Sequence, residues 1–185
     1  YALEMQGRTE QALQKYRESL DTLNGLPQFN EVMAHNRLSF LHLYQLHNVK
    51  EARKEALLAR AKADAFLGDL EAMAGNYTAA LDYLLSAKNN TEAQGKDVTT
   101  LSRIYSYLGV LYLKLGEFDT SIDYINQAID CDRKRGDEVG PLYDILNRAA
   151  AYILAGRYEQ GYQDAQAGLQ VAERLKNSYL SAGLA

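Results

Sequence analysis

Three histidines, one cysteine and scattered carboxylates are the side chains that acid–base, nucleophilic or metal chemistry would have to use in this 185-residue chain. His35 and His42 stand seven apart; on a helix such residues share a face but lie about 10 Å apart along the axis, whereas helical metal-ligand pairs use spacings of three or four. His42 and His47, five apart, point in different directions. All three therefore read as ordinary, partly exposed histidines. Cys131 has no histidine nearby in the pattern and no Gly-x-Ser-x-Gly elbow occurs, so nucleophilic catalysis lacks its parts and the thiol reads as a partly buried packing residue. Gly95-Lys96 lacks the upstream glycine of a phosphate loop and runs into Asp97. Asp64, Asp69 and Glu71, or Asp130 and Asp132, are close in sequence, but nothing marks a catalytic pair. The expectation is a non-catalytic protein with no metal and no cofactor.

Composition narrows the classes further. With 47% hydrophobic residues and two prolines the chain has material for a core and shows no bias toward disorder. The 20 Lys and Arg are interspersed with 24 Asp and Glu, for a net charge of −4, which argues against nucleic acid as partner. Mixed runs such as Lys50-Glu51-Ala52-Arg53-Lys54-Glu55 read as solvated helix faces. No apolar stretch reaches membrane-spanning length, and no basic flank precedes an apolar core at the start, so neither membrane nor leader is expected. One cysteine forms no internal disulfide, which suits a reducing, cytoplasmic setting. The opening on Tyr1 and the helix-like close at Ser178 read as a piece of a longer protein.

Helices must hold these residues, because proline is scarce, Ala and Leu are abundant, and alternating apolar runs are absent. Turns are expected near Gly7, His47-Asn48, Gly75-Asn76, Gly116 and Gly156, with Thr9, Val49, Tyr77, Phe118 and Tyr158 opening the helix after each. Inside those helices small residues recur seven apart: Ala12 with Ser19, Ala52 with Ala59, Ala80 with Ala87, Ser121 with Ala128, Gly161 with Gly168. Such a stripe lets a neighbouring helix approach closely. Longer connectors are expected around Asn24-Gly25-Leu26-Pro27, Gln94-Gly95-Lys96-Asp97 and Arg135-Gly136-Asp137, with Pro27 and Pro141 in first turns. The result is an all-α chain of about nine helices in antiparallel pairs. Intervals between turns are 40, 28, 41 and 40 residues; the short one predicts a tight connection near residues 60–63 rather than one long helix.

The clearest unit reads Tyr105-Ser106-Tyr107-Leu108-Gly109-Val110-Leu111-Tyr112, then Leu115-Gly116-Glu117-Phe118-Asp119, then Ser121-Ile122, Ile125 and Ala128-Ile129. It resembles the tetratricopeptide repeat family, in the variant with about 40 residues per unit found in kinesin light chains, polarity adaptors and bacterial regulatory proteins. The units around Leu67-Gly68 and around Tyr152, Tyr158, Gly161 and Gly168 match nearly as well. Two departures stand out: Ser39-Phe40 replaces Leu-Gly, and longer polar connectors such as Asp132-Arg133-Lys134-Arg135-Gly136-Asp137 replace the closing proline.

The resemblance implies one repeat domain over residues 1–185, an α-solenoid of antiparallel helix pairs coiled into a right-handed superhelix. It places the first helix of each pair on the concave side. There, by family likeness, a peptide or partner helix would meet Arg37, Leu41, Tyr44 and Gln45, then Lys62, Phe66, Asp69 and Met73, then Arg103, Tyr107, Val110 and Lys114, then Tyr143, Asn147 and Ala150. Tyr44, Tyr107, Tyr143 and Arg103 are of the types enriched at interface hot spots. Tyr77, Tyr112, Tyr152 and Tyr158 occupy slots that the family uses for its core. Some members clamp a C-terminal carboxylate; Arg103 and Asn147 match isolated positions of that clamp, but Asp69 stands where an amide is needed, which weighs against it. The expected function is a protein-binding scaffold. Two rivals are a regulatory segment docking on an ATPase, kinase or DNA-binding domain of a larger signalling protein, and a self-association module that makes a homo-oligomer.

Overall fold

In a computed structural model the described residues, 8–22, 28–95, 97–137 and 140–174, form eight α-helices and no strand. They are α1 (Thr9–Thr22), α2 (Gln28–Tyr44), α3 (Val49–Ala74), α4 (Tyr77–Ala93), α5 (Val98–Leu115), α6 (Phe118–Arg135), α7 (Gly140–Leu154) and α8 (Tyr158–Arg174). Their ends follow local chemistry. The Asn48 side chain accepts the Glu51 N–H at 3.1 Å to start α3, and Asp97 accepts the Thr99 N–H at 3.2 Å to start α5. Gly116 and Gly136 close α5 and α6 at φ +81° and +71°, a left-handed conformation that glycine adopts without steric cost. Turns expected at His47-Asn48, Gly75-Asn76, Gly116 and Gly156 are where the sequence places them, and Pro141 sits in the first turn of α7. Gly7, Asn24 through Pro27, Lys96 and Ser178 lie outside the described residues.

Two expectations about helix limits need correction. No connection interrupts residues 60–63, because α3 runs 26 residues from Val49 to Ala74. Its middle, Arg60-Ala61-Lys62-Ala63-Asp64-Ala65, is built largely from good helix formers and contains neither Gly nor Pro. Asp132 through Arg135 form the last turn of α6 rather than a connector, and Arg133, Lys134 and Arg135 there complement the negative end of the helix dipole.

The long helix explains the short interval. Its first half lies antiparallel to α2, with Ser39 Oγ donating to the Ala52 carbonyl at 2.7 Å. Its second half lies antiparallel to α4, with Ser86 Oγ donating to Asp64 Oδ2 at 3.1 Å. One helix thus serves as second member of one pair and first member of the next, and the connector between them is spared. The pairs α5 with α6 and α7 with α8 follow, each consecutive helix packing on the one before.

Small residues set the spacing within pairs. Ala52, Ala59, Ala80, Ala87, Ser121, Ala128, Gly161 and Gly168 are all buried, as is Ala12; the Ser19 side chain lies outside the described ones. The first helices answer with glycine: a Cβ on Gly109 would sit 2.5 Å from Ile125 Cγ1, and one on Gly68 would sit 2.6 Å from Leu84 Cγ. Leu84, Ile104, Leu108 and Leu111 form the centre of the largest apolar cluster, with Tyr77 and Tyr112 packed against it. Tyr152 is half-buried, but Tyr158 is not a core residue as expected: it is 70% exposed beside exposed Ile153 and Leu154 at the α7–α8 turn.

Candidate functional site

Charges on the first helices are where the chain departs most from an apolar stack. Lys62 on α3 is buried and lies 2.8 Å from Glu31 on α2 and 3.7 Å from Asp97 at the start of α5. Arg103 on α5 reaches the same Glu31 at 3.3 Å. Burial works to raise the Glu31 carboxyl, but Lys62 and Arg103 outweigh it and hold it below the ordinary glutamate value. Asp97 is also held low: burial opposes it, while bonds from Thr100 and the charge of Lys62 prevail. Four charges thereby tie together α2, α3 and α5.

Next to this network a groove of about 760 Å³ opens between α5 and α7, with the end of α6 as its third wall. Arg103, Tyr107 and Val110 enter it from α5, since spacings of four and three put them on one stripe; Tyr143 and Asn147, four apart, do the same from α7. These five are all residues that the family likeness pointed to. Tyr143 is 53% exposed, with its ring open to solvent.

The groove also holds polar residues that sequence reasoning missed. Ser106 Oγ donates to Asp144 Oδ2 at 2.9 Å across the groove, and Ser102 Oγ donates to Asp132 Oδ1. Arg135 pairs with Asp132 at 2.8 Å and with Asp137 at 2.9 Å. Asp137 accepts the Gly140 N–H at 3.1 Å, capping α7. Gly140 must lack a side chain there, because a Cβ would lie 2.5 Å from Asp132 Oδ2. Burial, reinforced by the nearby Asp132 charge, pushes the Asp144 carboxyl up to about 7, against the smaller pull of the Ser106 bond and of Arg148. Spacing carries no signal for Asp144, which does not share the apolar stripe of Leu142, Ile145 and Ala149.

The remaining expected residues are dispersed. Leu41 is fully buried against Ala12, Leu13 and Leu38, so it belongs to the α1–α2 core and not to a binding face. Lys62 is likewise withdrawn from the surface, because its ammonium is spent on Glu31 and Asp97. Arg37 is half-buried, and Tyr44 is exposed beside Phe40, ring centroids 4.6 Å apart. Phe66 is exposed. Burial raises the Asp69 carboxyl, and Lys114 partly offsets this through space, which puts α3 and α5 face to face there. The histidines also differ from expectation: His35 and His42 are buried, while His47 is exposed at φ +50°. His35 Nδ1 shares a 2.6 Å hydrogen bond with Glu55. Cys131 is half-buried against Leu101, Tyr105 and Ala128, as expected, and burial pushes its thiol up. Among the described residues no group of three His, Cys, Asp or Glu side chains is placed to hold a metal.

Residues 59–134, from the middle of α3 to the end of α6, match the family model of the tetratricopeptide repeat. That segment carries tetratricopeptide repeats. The match begins inside α3, which packs on both α2 and α4, so its second half does the work of a repeat's first helix. The α7–α8 pair after the matched segment keeps the same antiparallel arrangement, with Arg148 and Asp164 joined across it at 2.7 Å. The groove therefore lies between the second matched tetratricopeptide unit and the pair that follows. No match was found among curated proteins. Tetratricopeptide repeats are non-catalytic and mediate protein–protein interaction, binding proteins or peptides. Among the described residues no helix is long and apolar enough to cross a membrane.

Proposed function

We propose that the chain is an interaction scaffold that binds a peptide segment or partner helix in the groove between α5 and α7. The observation that carries this reading is the convergence of Arg103, Tyr107, Val110, Tyr143 and Asn147 on one cavity of about 760 Å³. That volume accommodates several side chains of an extended segment. Tyrosine supplies wide contact area at low entropic cost, and Asn147 is suited to fix the register of a bound backbone. By family likeness Arg37, Tyr44, Phe66, Asp69 and Lys114 are further candidate contacts outside the groove. The reading takes the whole chain as one repeat domain of the long-unit type, in a cytoplasmic setting that a lone cysteine suits; within a larger signalling protein the groove would dock another domain of that protein.

The experiment is selection of peptides from a random display library on the chain, followed by titration of the selected peptides. Tyr143→Ala and Asn147→Ala should each weaken binding roughly tenfold or more, while Arg53→Ala, on another surface, leaves it unchanged. Equal affinity of all four proteins would reject the groove. Self-association is the second reading, favoured by exposed Ile153, Leu154, Tyr158 and Tyr162 at one edge. Sedimentation at high concentration tests it, and a strictly monomeric chain would remove it.

A further inference from the structure

Of the carboxylates lining the groove, Asp132 and Asp137 share Arg135 as countercharge, at 2.8 and 2.9 Å. Asp144 is different. It is 4% exposed, and among the described residues it forms no ion pair, only the 2.9 Å bond from the Ser106 hydroxyl. The cations around it are committed elsewhere. On its own helix Arg148 forms a two-pronged pair with Asp164 of α8, both contacts 2.7 Å, and reaches Asn126 of α6 at 2.5 Å. From α5, Arg103 is drawn to Glu31, and from α6, Arg135 is shared by two other carboxylates. Asp132 on α6 faces Asp144 with charge of the same sign. Once ionised, a buried carboxylate in this state is costly unless something supplies positive charge.

The groove provides room for that charge. Tyr107 and Tyr143 line the groove together with Asp144, and aromatic rings with a carboxylate make a favourable environment for a guanidinium or ammonium. We propose that the groove receives a cationic side chain of its partner, an Arg or Lys on the bound peptide, with Asp144 as countercharge and the rings of Tyr107 and Tyr143 alongside. Ser106 holds Oδ2 of Asp144 and leaves Oδ1 to the incoming donor. This inference rests on the proposed function and adds the chemistry of the partner.

The test titrates the ¹⁵N-labelled chain with three capped amino acids, the N-acetyl methylamides of arginine, lysine and citrulline, at about pH 8, where Asp144 is ionised. Arginine and lysine should shift the amides of Ser106, Tyr143, Asp144 and Asn147 saturably; citrulline, isosteric with arginine but neutral, should not. Asp144→Asn should abolish the response. In the unmutated chain, acidification to about pH 6 should weaken it roughly tenfold, which reads the same carboxylate without a variant. Equal shifts with citrulline and arginine, or a response indifferent to pH, would overturn the inference and leave the peptide-binding reading standing. Silence of the groove to all three probes overturns it as well; the function reading falls with it only if no selected peptide depends on Tyr143 or Asn147.

Discussion

Ser106 on α5 and Asp144 on α7 meet at 2.9 Å, a neutral hydroxyl serving as the partner of a buried carboxylate between two successive repeat units. The same two helices bring Tyr107 and Tyr143 to the groove, so the polar contact that joins the units also lies beneath the surface offered to a partner. A polar floor of this kind fixes how α5 and α7 sit relative to each other at some cost in stability.

That cost is measurable through pH. The folded Asp144 carboxyl, at about 7, stands above its ordinary value of 3.8, so the folded chain holds the proton more tightly than the unfolded chain. The penalty for ionising it sets in as pH rises past the unfolded value and is complete above the folded one. Asp144→Asn, which keeps the acceptor for Ser106, is expected to stabilise the chain by a few kcal/mol at about pH 8 and by almost nothing at about pH 4. Thermal melts at the two pH values check this, and a gain independent of pH would contradict it.

Lys62 is expected to be the most sensitive charged residue. Lys62→Ala leaves Glu31, 3% exposed, with the Arg103 contacts at 3.3 and 3.5 Å. The expected loss is about 3 kcal/mol in urea unfolding near neutral pH, partly recovered by adding Glu31→Gln. Because Glu31 is held below its ordinary value, its contribution is present above about pH 4.5 and disappears on acidification through the lowered folded value. A loss under about 1 kcal/mol would show that the pair is solvated.

Gly109→Ala tests the close approach of α5 to α6. Alanine favours a helix over glycine by up to about 1 kcal/mol, but the new methyl would lie 2.5 Å from Ile125 Cγ1 in a fully buried setting. Overpacking should win, with a net loss of roughly 1–3 kcal/mol and a lower melting temperature. Increased stability would mean that the two helices separate without cost.

Ala63→Pro tests the continuity of α3. In an uninterrupted helix proline removes a hydrogen bond and clashes with the preceding turn, at a cost of about 3 kcal/mol or more. A connection at residues 60–63 would accept it with little change, and chemical denaturation distinguishes the two.

How much of this was legible in the residues alone follows from what kind of signal each feature leaves. Turn glycines, the caps Asn48 and Asp97, and the buried small pairs are local, and they stand where the sequence places them. Continuity of α3 was harder to read, because a tight turn and an unbroken helix both lack Gly and Pro at residues 60–63, and only partner exchange between α2 and α4 separates them. Of the first-helix slots, Tyr107, Tyr143 and their neighbours line the groove, whereas Leu41 and Lys62 are buried. Their burial depends on α1 and on Glu31, which no spacing within α2 or α3 encodes. Asp144 and Ser106 stand 38 residues apart, and a bond between different repeat units has no sequence period to reveal it.

The most direct test of the central claim is amide chemical-shift mapping of the ¹⁵N-labelled chain with a library-selected peptide. Binding in the groove predicts shifts concentrated at Arg103, Ser106, Tyr107 and Val110 on α5 and at Tyr143, Asp144 and Asn147 on α7, with α4 and the outer face of α8 quiet. Shifts confined to the Ile153, Leu154, Tyr158 and Tyr162 edge, or to α1 and α2, would contradict it.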